Sequence, residues 1–251
     1  VSGRAGLFKY PMNKSLTIDV CVSPFLYPVY HREDTIVVII DILRATSAMC
    51  TAFHHGVDKM IPVATVEEAL DYKQQGYLVG AERNGIQIEG FDFGNSPYSY
   101  MSEKIKGKTI VLSTTNGTQA IEAAKHAYKV VIGSFVNITA LCEWLQVQNK
   151  SILLLCSGWK NRVSLEDTLF AGAVTEMLMK GPTEFKTGDG ALSANYLYES
   201  ARHNPYKYMR NASHAERLSA LGLKEDIRYC LKPDQTNVIP VLEGKYLVKM
   251  S

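Results

Sequence analysis

Five β-branched residues in a row, Ile36–Ile40, constrain the fold of this chain more than any other stretch. A run with no polar alternation predicts a strand, Thr35–Ile40, buried on both faces, as in a parallel sheet covered by helices. Asp41 ends the strand. Beyond it Ala45, Ala48, Met49, Ala52 and Phe53 recur at helical spacing, and Gly56 supplies a stop. The same succession of strand, polar loop and helix is predicted at Lys59–Val63 with Val66–Gln75 and at Thr109–Leu112 with Thr118–His126. It recurs at Val130–Gly133 with Thr139–Gln148 and at Ile152–Leu155 with Leu165–Lys180. Asp189–Arg202 reads as a further helix, Pro205–Leu231 as broken helices, and Val238–Val241 and Tyr246–Val248 as closing strands.

This alternation predicts the α/β class, a layered sheet flanked by helices. No low-complexity linker divides the chain, so residues 12–251 are expected to form a single domain. A faint echo between Ile36–Ser47 and Ile152–Thr168 leaves two similar lobes, dividing near residues 135–150, as the alternative. Residues 1–11 lack periodicity and are set outside the fold, as an expression remnant or a disordered segment.

Of the 251 residues, 46% are hydrophobic and 21% charged, with a net charge of +2, and there is no basic stripe. Neither disorder nor a nucleic-acid partner is indicated. No apolar run reaches the roughly 20 residues that cross a bilayer, and no signal-peptide pattern opens the chain, so a cytoplasmic protein without membrane contact is expected. The five cysteines are scattered and odd in number, which favours free thiols. A homo-oligomer is the default expectation for a soluble protein of this kind, a homodimer being the simplest form.

In open α/β sheets ligands bind beyond the carboxyl ends of the strands, which directs attention to four polar stretches. After Ile40 come Asp41, Arg44, Thr46 and Ser47, a carboxylate, a guanidinium able to grip two oxygens, and two hydroxyls. The competing reading is a capped helix with a paired arginine. Ser113–Thr118 carries Thr114, Thr115, Asn116, Gly117 and Thr118, more donors than a cap requires. Glu82 and Arg83, followed by Gly90–Pro97 with Asn95 and Ser96, read either as a shaped active-site loop or as a pair of β-turns. Glu166 and Asp167 open a long helix, and Asp189 opens another; all three are candidate oxygen ligands for Mg²⁺ or simply helix-end acids. No His-Glu-x-x-His spacing, phosphate-cradling Gly-x-x-x-x-Gly-Lys loop or dinucleotide fingerprint is present.

Ile39–Ser47, Gly80–Arg83, Gly90–Pro97 and Thr114–Thr118, taken in order, resemble the 2-phosphosulfolactate phosphatase family. Downstream, Cys156-Ser157-Gly158, Glu166–Thr168 with Ala171-Gly172, Asp189, Ser213-His214, Leu218, Gly222, Asp226 and Val238–Pro240 extend the resemblance. One departure is Asn84-Gly85 with Gln87–Glu89, where the resemblance implies a Gly-Gly and a proline. The resemblance implies a Mg²⁺-dependent phosphatase that converts (2R)-phospho-3-sulfolactate to 3-sulfolactate and phosphate, a step in coenzyme M biosynthesis, or acts on a similar phosphorylated hydroxy acid. In that setting Asp41, with Glu166, Asp167 or Asp189, is expected to hold Mg²⁺. Arg44 and Thr114–Thr118 would clamp phosphate, and Glu82, Arg83, Asn95 and Ser96 would shape the pocket or hold the substrate's carboxylate and sulfonate. A variant makes Asp41 the nucleophile, against which Leu43 counts, because a second carboxylate two residues on would protonate the leaving group. The rival from another class is a non-catalytic sensor of a phosphorylated anionic metabolite.

Overall fold

The computed structural model describes residues 15–250. The predicted segment 1–11 lies outside them. In chain order the elements are β1 (Thr17–Cys21), α1 (Tyr27–Tyr30), β2 (Thr35–Ile40), α2 (Ala45–His54), β3 (Lys59–Val63), α3 (Val66–Gln74), β4 (Leu78–Arg83) and β5 (Ile86–Gln87). There follow β6 (Thr109–Ser113), α4 (Gly117–Ala124), β7 (Lys129–Gly133), α5 (Ile138–Gln146), β8 (Ser151–Cys156), α6 (Leu165–Met179) and β9 (Lys186–Thr187). The chain closes with α7 (Asp189–Ala201), α8 (Pro205–Met209), α9 (Ser213–Ala220), α10 (Lys224–Cys230), β10 (Pro240–Glu243) and β11 (Tyr246–Lys249).

Among the described residues these strands form one sheet in the order β5-β4-β6-β3-β11-β10-β7-β2-β8-β1-β9. The expected α/β class holds. Strand β2 is central and buried at every position. Its alternate side chains supply two different layers, as the two-residue period of a strand requires. Ile36, Val38 and Ile40 pack with Leu169, Phe170 and Val174 of α6 and Ala194 of α7. Val37 and Ile39 pack on the opposite face with Ala48 and Met49 of α2 and Ile121 of α4. Each such aliphatic side chain contributes about 1.5–3 kcal/mol by leaving water. A polar residue anywhere from Ile36 to Ile40 would therefore open one layer or the other.

The sheet consists of two parallel blocks, β4-β6-β3 and β7-β2-β8-β1-β9, joined by the antiparallel hairpin β10–β11. Their strands alternate along the chain, since β1 and β2 lie in one block, β3, β4 and β6 in the other, and β7–β9 again in the first. Residues 135–150, with α5, fall inside a single block. Because the hairpin reverses direction, the blocks run in opposite senses. Right-handed twist of about 20–25° per neighbouring pair accumulates across the sheet, and the loops leaving β2, β4 and β6 come together.

Strand β4 runs on through Arg83, so Glu82 and Arg83 belong to a strand end rather than to a loop. Asn84 and Gly85, both at positive φ, form the two-residue turn that pairs β4 with β5, the arrangement an Asn-Gly pair favours. The cysteines are free and buried among the described residues, as expected. No helix of the described residues is long and apolar enough to cross a membrane.

Candidate active site

The loops after β2, β4, β6 and β8 enclose a cleft roofed by α9. Asp41, Leu43, Arg44, Glu82, Gly85, Asn95, Thr115, Asn116, Trp159, His214, Arg217 and Leu218 line it. Its free volume is about 10 Å³, room for one water at most.

Asp41 forms the floor, where the strand's ladder ends and its loop turns back on itself. The Asp41 N–H donates to Thr46 Oγ1 at 3.2 Å, and the Asp41 carbonyl accepts from Thr46 N–H and Oγ1, both at 2.9 Å. Ala45 N–H reaches the carboxylate at 3.4 Å, and among the described residues no side chain donates to it. Burial raises the Asp41 pKa to about 6; His214 opposes the rise, while Glu82 and Glu166 add to it. A proton-accepting group poised near neutrality is what acid–base chemistry requires.

Gly117, at the start of α4, allows this floor to form. A Cβ there would lie 2.8 Å from Ala45 Cβ and 2.9 Å from Asp41 Oδ2. Gly117→Ala is expected to push Asp41 aside, costing about 1–3 kcal/mol of stability by overpacking and on the order of 100-fold in turnover by misplacement. Parallel denaturant titrations and rate measurements check both; unchanged turnover would detach Gly117 from the site.

Glu82 is wholly engaged. Oε1 accepts from Thr115 N–H at 2.8 Å and Thr115 Oγ1 at 2.9 Å, and Oε2 accepts from Gly85 N–H at 2.8 Å. It fastens the β4–β5 turn to the β6 loop. Glu166 also has a partner, since His214 Nδ1 lies 2.6 Å from its Oε1. Burial would raise Glu166, yet the hydrogen bond and charge of His214 prevail and hold its pKa below the usual value. With Nδ1 on Glu166, the imidazole keeps Nε2 for the cleft. Arg217 stacks on Trp159, its guanidinium carbon 3.9 Å from the ring centre. Trp159 is presented by a tight turn whose Lys160 and Asn161 both have positive φ.

Several expected site residues have other tasks. Arg44, expected to clamp phosphate, borders the cleft with both terminal nitrogens committed: Nη1 pairs with Asp226, and Nη2 donates to Gly85 O at 2.7 Å. Thr46 closes the Asp41 turn, and Ser47 donates to Ile42 O at 2.9 Å and meets Ser134 Oγ at 2.7 Å. Thr114 and Thr118 cap α4 reciprocally, at 3.1 Å and 3.3 Å. Arg83 turns to Glu82 O and Ser113 Oγ, at 2.7 Å and 3.2 Å, and Ser96 precedes a short 3₁₀ turn; neither lines the cleft.

Asp167 accepts from Ile42 N–H at 2.9 Å and Gly158 N–H at 3.2 Å, stitching two loops together. Burial, then the charges of Glu166 and Asp41, raise its pKa well above the carboxylate range, partly offset by those two N–H groups. Asp189 is corrected as a ligand alongside Asp41, because it sits exposed at the start of α7 behind the edge strand β9, three strands from β2. Asn95, Thr115, Asn116 and Glu82 line the same cleft as Asp41. Trp159, His214 and Arg217 join them from regions not singled out for the site.

The described residues contain no ready cage of three or more metal-ligating side chains. Mg²⁺ does not require one, since it takes one or two protein carboxylates and fills its shell with substrate oxygens and water. Asp41, free of side-chain donors, and Glu166 beside it are chemically suited to that sparse role, and their mutual repulsion is what a cation would relieve.

The profile of the 2-phosphosulpholactate phosphatase family matches residues 21–245. A protein of Thermotoga petrophila named "Probable 2-phosphosulfolactate phosphatase" is 42% identical over 233 residues, 92% of this chain and 98% of its own length. Similarly named proteins of Caldanaerobacter subterraneus subsp. tengcongensis and Clostridium novyi are 40% and 35% identical, over 83% and 90% of this chain and 88% and 96% of theirs. With the profile spanning nearly the whole described fold and relatives matched over almost their full length, the chain belongs to the 2-phosphosulfolactate phosphatase family.

Proposed function

We propose that the cleft hydrolyses a phosphate monoester, with (2R)-phospho-3-sulfolactate as substrate and 3-sulfolactate and phosphate as products. One observation carries the chemistry: an uncommitted carboxylate, Asp41, and an imidazole oriented by a carboxylate, His214 on Glu166, share one closed cleft. The names of the relatives support the choice of ester.

In the reaction a water oxygen bonds to phosphorus as the ester P–O bond breaks, and one of that water's protons then leaves the new phosphate and restores His214. His214 Nε2 gives its proton to the departing alkoxide, and Glu166 steadies the imidazole in that role. This supplies the acid that Leu43 cannot. The Asn116–Gly117 backbone at the start of α4 offers N–H groups toward the phosphoryl oxygens, and closure of α9 excludes bulk water. Mg²⁺, when held by Asp41 and Glu166, would neutralise charge on the phosphoryl group.

The test is phosphate release from a panel of phosphorylated hydroxy acids, with Mg²⁺ and with chelator. Release from (2R)-phospho-3-sulfolactate, and its loss on chelation, is the expected result. Binding without release from any ester would favour the sensor.

A further inference from the structure

We infer that Arg217, rather than Arg44, grips an oxyanion of the substrate at two points, through Nε and Nη2. Both atoms are buried and have no hydrogen-bond partner, and none of the ion pairs among the described residues includes Arg217. Nε and one terminal nitrogen form a planar edge whose spacing matches two oxygens of a carboxylate, sulfonate or phosphate. An ordinary surface arginine stacked on a tryptophan would leave that edge in water. Here both atoms are buried in a residue that lines the cleft, and burying a charged donor unpaired costs more than burying a neutral one. Such a cost is tolerated where a ligand removes it.

The surroundings agree. Trp159 holds the guanidinium plane from behind at 3.9 Å, which limits its rotation. Asn95, only 5% exposed, contributes a third unpartnered polar atom to the same cleft, the acceptor Oδ1, which suits an O–H of the ligand or a water beside the oxyanion rather than the oxyanion itself. Arg44 cannot serve, because its terminal nitrogens are held by Asp226 and Gly85. Arg217 lies one helical turn from His214 on α9, so the same roof element brings both the proton donor and the anion grip to the substrate.

Naming the ligand as substrate rests on the phosphatase reading, and the oxyanion can be either the phosphoryl group or the acid group at the other end. The experiment compares wild type with Arg217→Gln and Arg217→Lys. It uses (2R)-phospho-3-sulfolactate and phenyl phosphate as substrates, and inorganic phosphate and inorganic sulfate as agents that raise the thermal midpoint. Both variants should fold, with midpoints in the absence of anion at or above that of wild type. Both should lose about 100-fold in kcat/KM on phosphosulfolactate, lysine failing because a point charge cannot replace the fork. An equal loss on phenyl phosphate assigns the grip to the phosphoryl group; a loss confined to phosphosulfolactate assigns it to the second acid. Retention of kcat/KM within threefold on both substrates, with anion stabilisation intact, overturns the inference. If wild type releases phosphate from neither ester while Arg217→Gln alone loses anion stabilisation, the grip stands and the phosphatase reading falls.

Discussion

Asp41→Asn is expected to lower phosphate release by roughly 10³-fold or more while making the metal-free protein more stable at pH 7. Burial raises the Asp41 pKa from the ordinary 3.8 to about 6, so the fold prefers the protonated acid. That preference stabilises the protein fully below pH 3.8 and is lost as pH rises through about 6. At pH 7 the ionised group therefore costs on the order of 3 kcal/mol, taking 1.36 kcal/mol per pKa unit. Asparagine imitates the neutral acid in shape and carries no charge at any pH. In chelator, the stability gap between variant and wild type should be largest at pH 7 and close as pH falls to about 4. Urea titrations across that range check the sign; a less stable variant at pH 7 would mean that Asp41 is held by donors after all. Trapping with an ester labelled on phosphorus then separates its two roles. Protein quenched during turnover is expected to carry no label, as direct attack by water requires, whereas a covalent phosphoryl label on Asp41 that borohydride reduces to homoserine would make Asp41 the nucleophile.

Asp41 was legible because a strand with no polar alternation must stop where a carboxylate stands, and loops at such strand ends are where α/β sheets bind ligands. What surrounds it was harder to read. Thr46, Thr114 and Thr118 have the hydroxyls that an anion site needs, but a cap needs the same hydroxyls at the same offsets, and local bonding took them. Arg44 reads as a clamp until its partner is known, and that partner lies 182 residues along the chain. His214 and Arg217 reach the cleft only because α9 roofs it, a tertiary fact with no local signature. The Asn84-Gly85 turn did have a signal, an Asn-Gly pair between two short apolar stretches; it fits the β-turn alternative for that stretch, while the run of β4 through Arg83 was not foreseen. Strand β1 was missed because Asp19 interrupts so short a segment, and β9 because it has only two residues.

The most destructive single change outside the chemistry is expected at Asp226. Arg44 and Asp226 are 3% and 5% exposed, and their ion pair joins the β2 loop to α10 while the other arm of Arg44 holds the Gly85 carbonyl. Asp226→Ala leaves the guanidinium buried without its counter-charge, which costs about 3–5 kcal/mol, a large part of the 5–15 kcal/mol that keeps a typical domain folded. The pair itself need not be strongly stabilising, because desolvation offsets much of its attraction. The double variant Arg44→Met with Asp226→Leu removes both charges and should recover most of that loss. Denaturant midpoints of the three proteins test this directly. If Arg44 were a phosphate clamp and Asp226 an incidental neighbour, Asp226→Ala would cost less than about 1 kcal/mol, as an exposed pair does, and the double variant would gain nothing. Turnover adds a second readout. A double variant that folds and still hydrolyses the ester at a measurable rate would place Arg44 among the residues that shape the cleft, and leave the anion to Arg217.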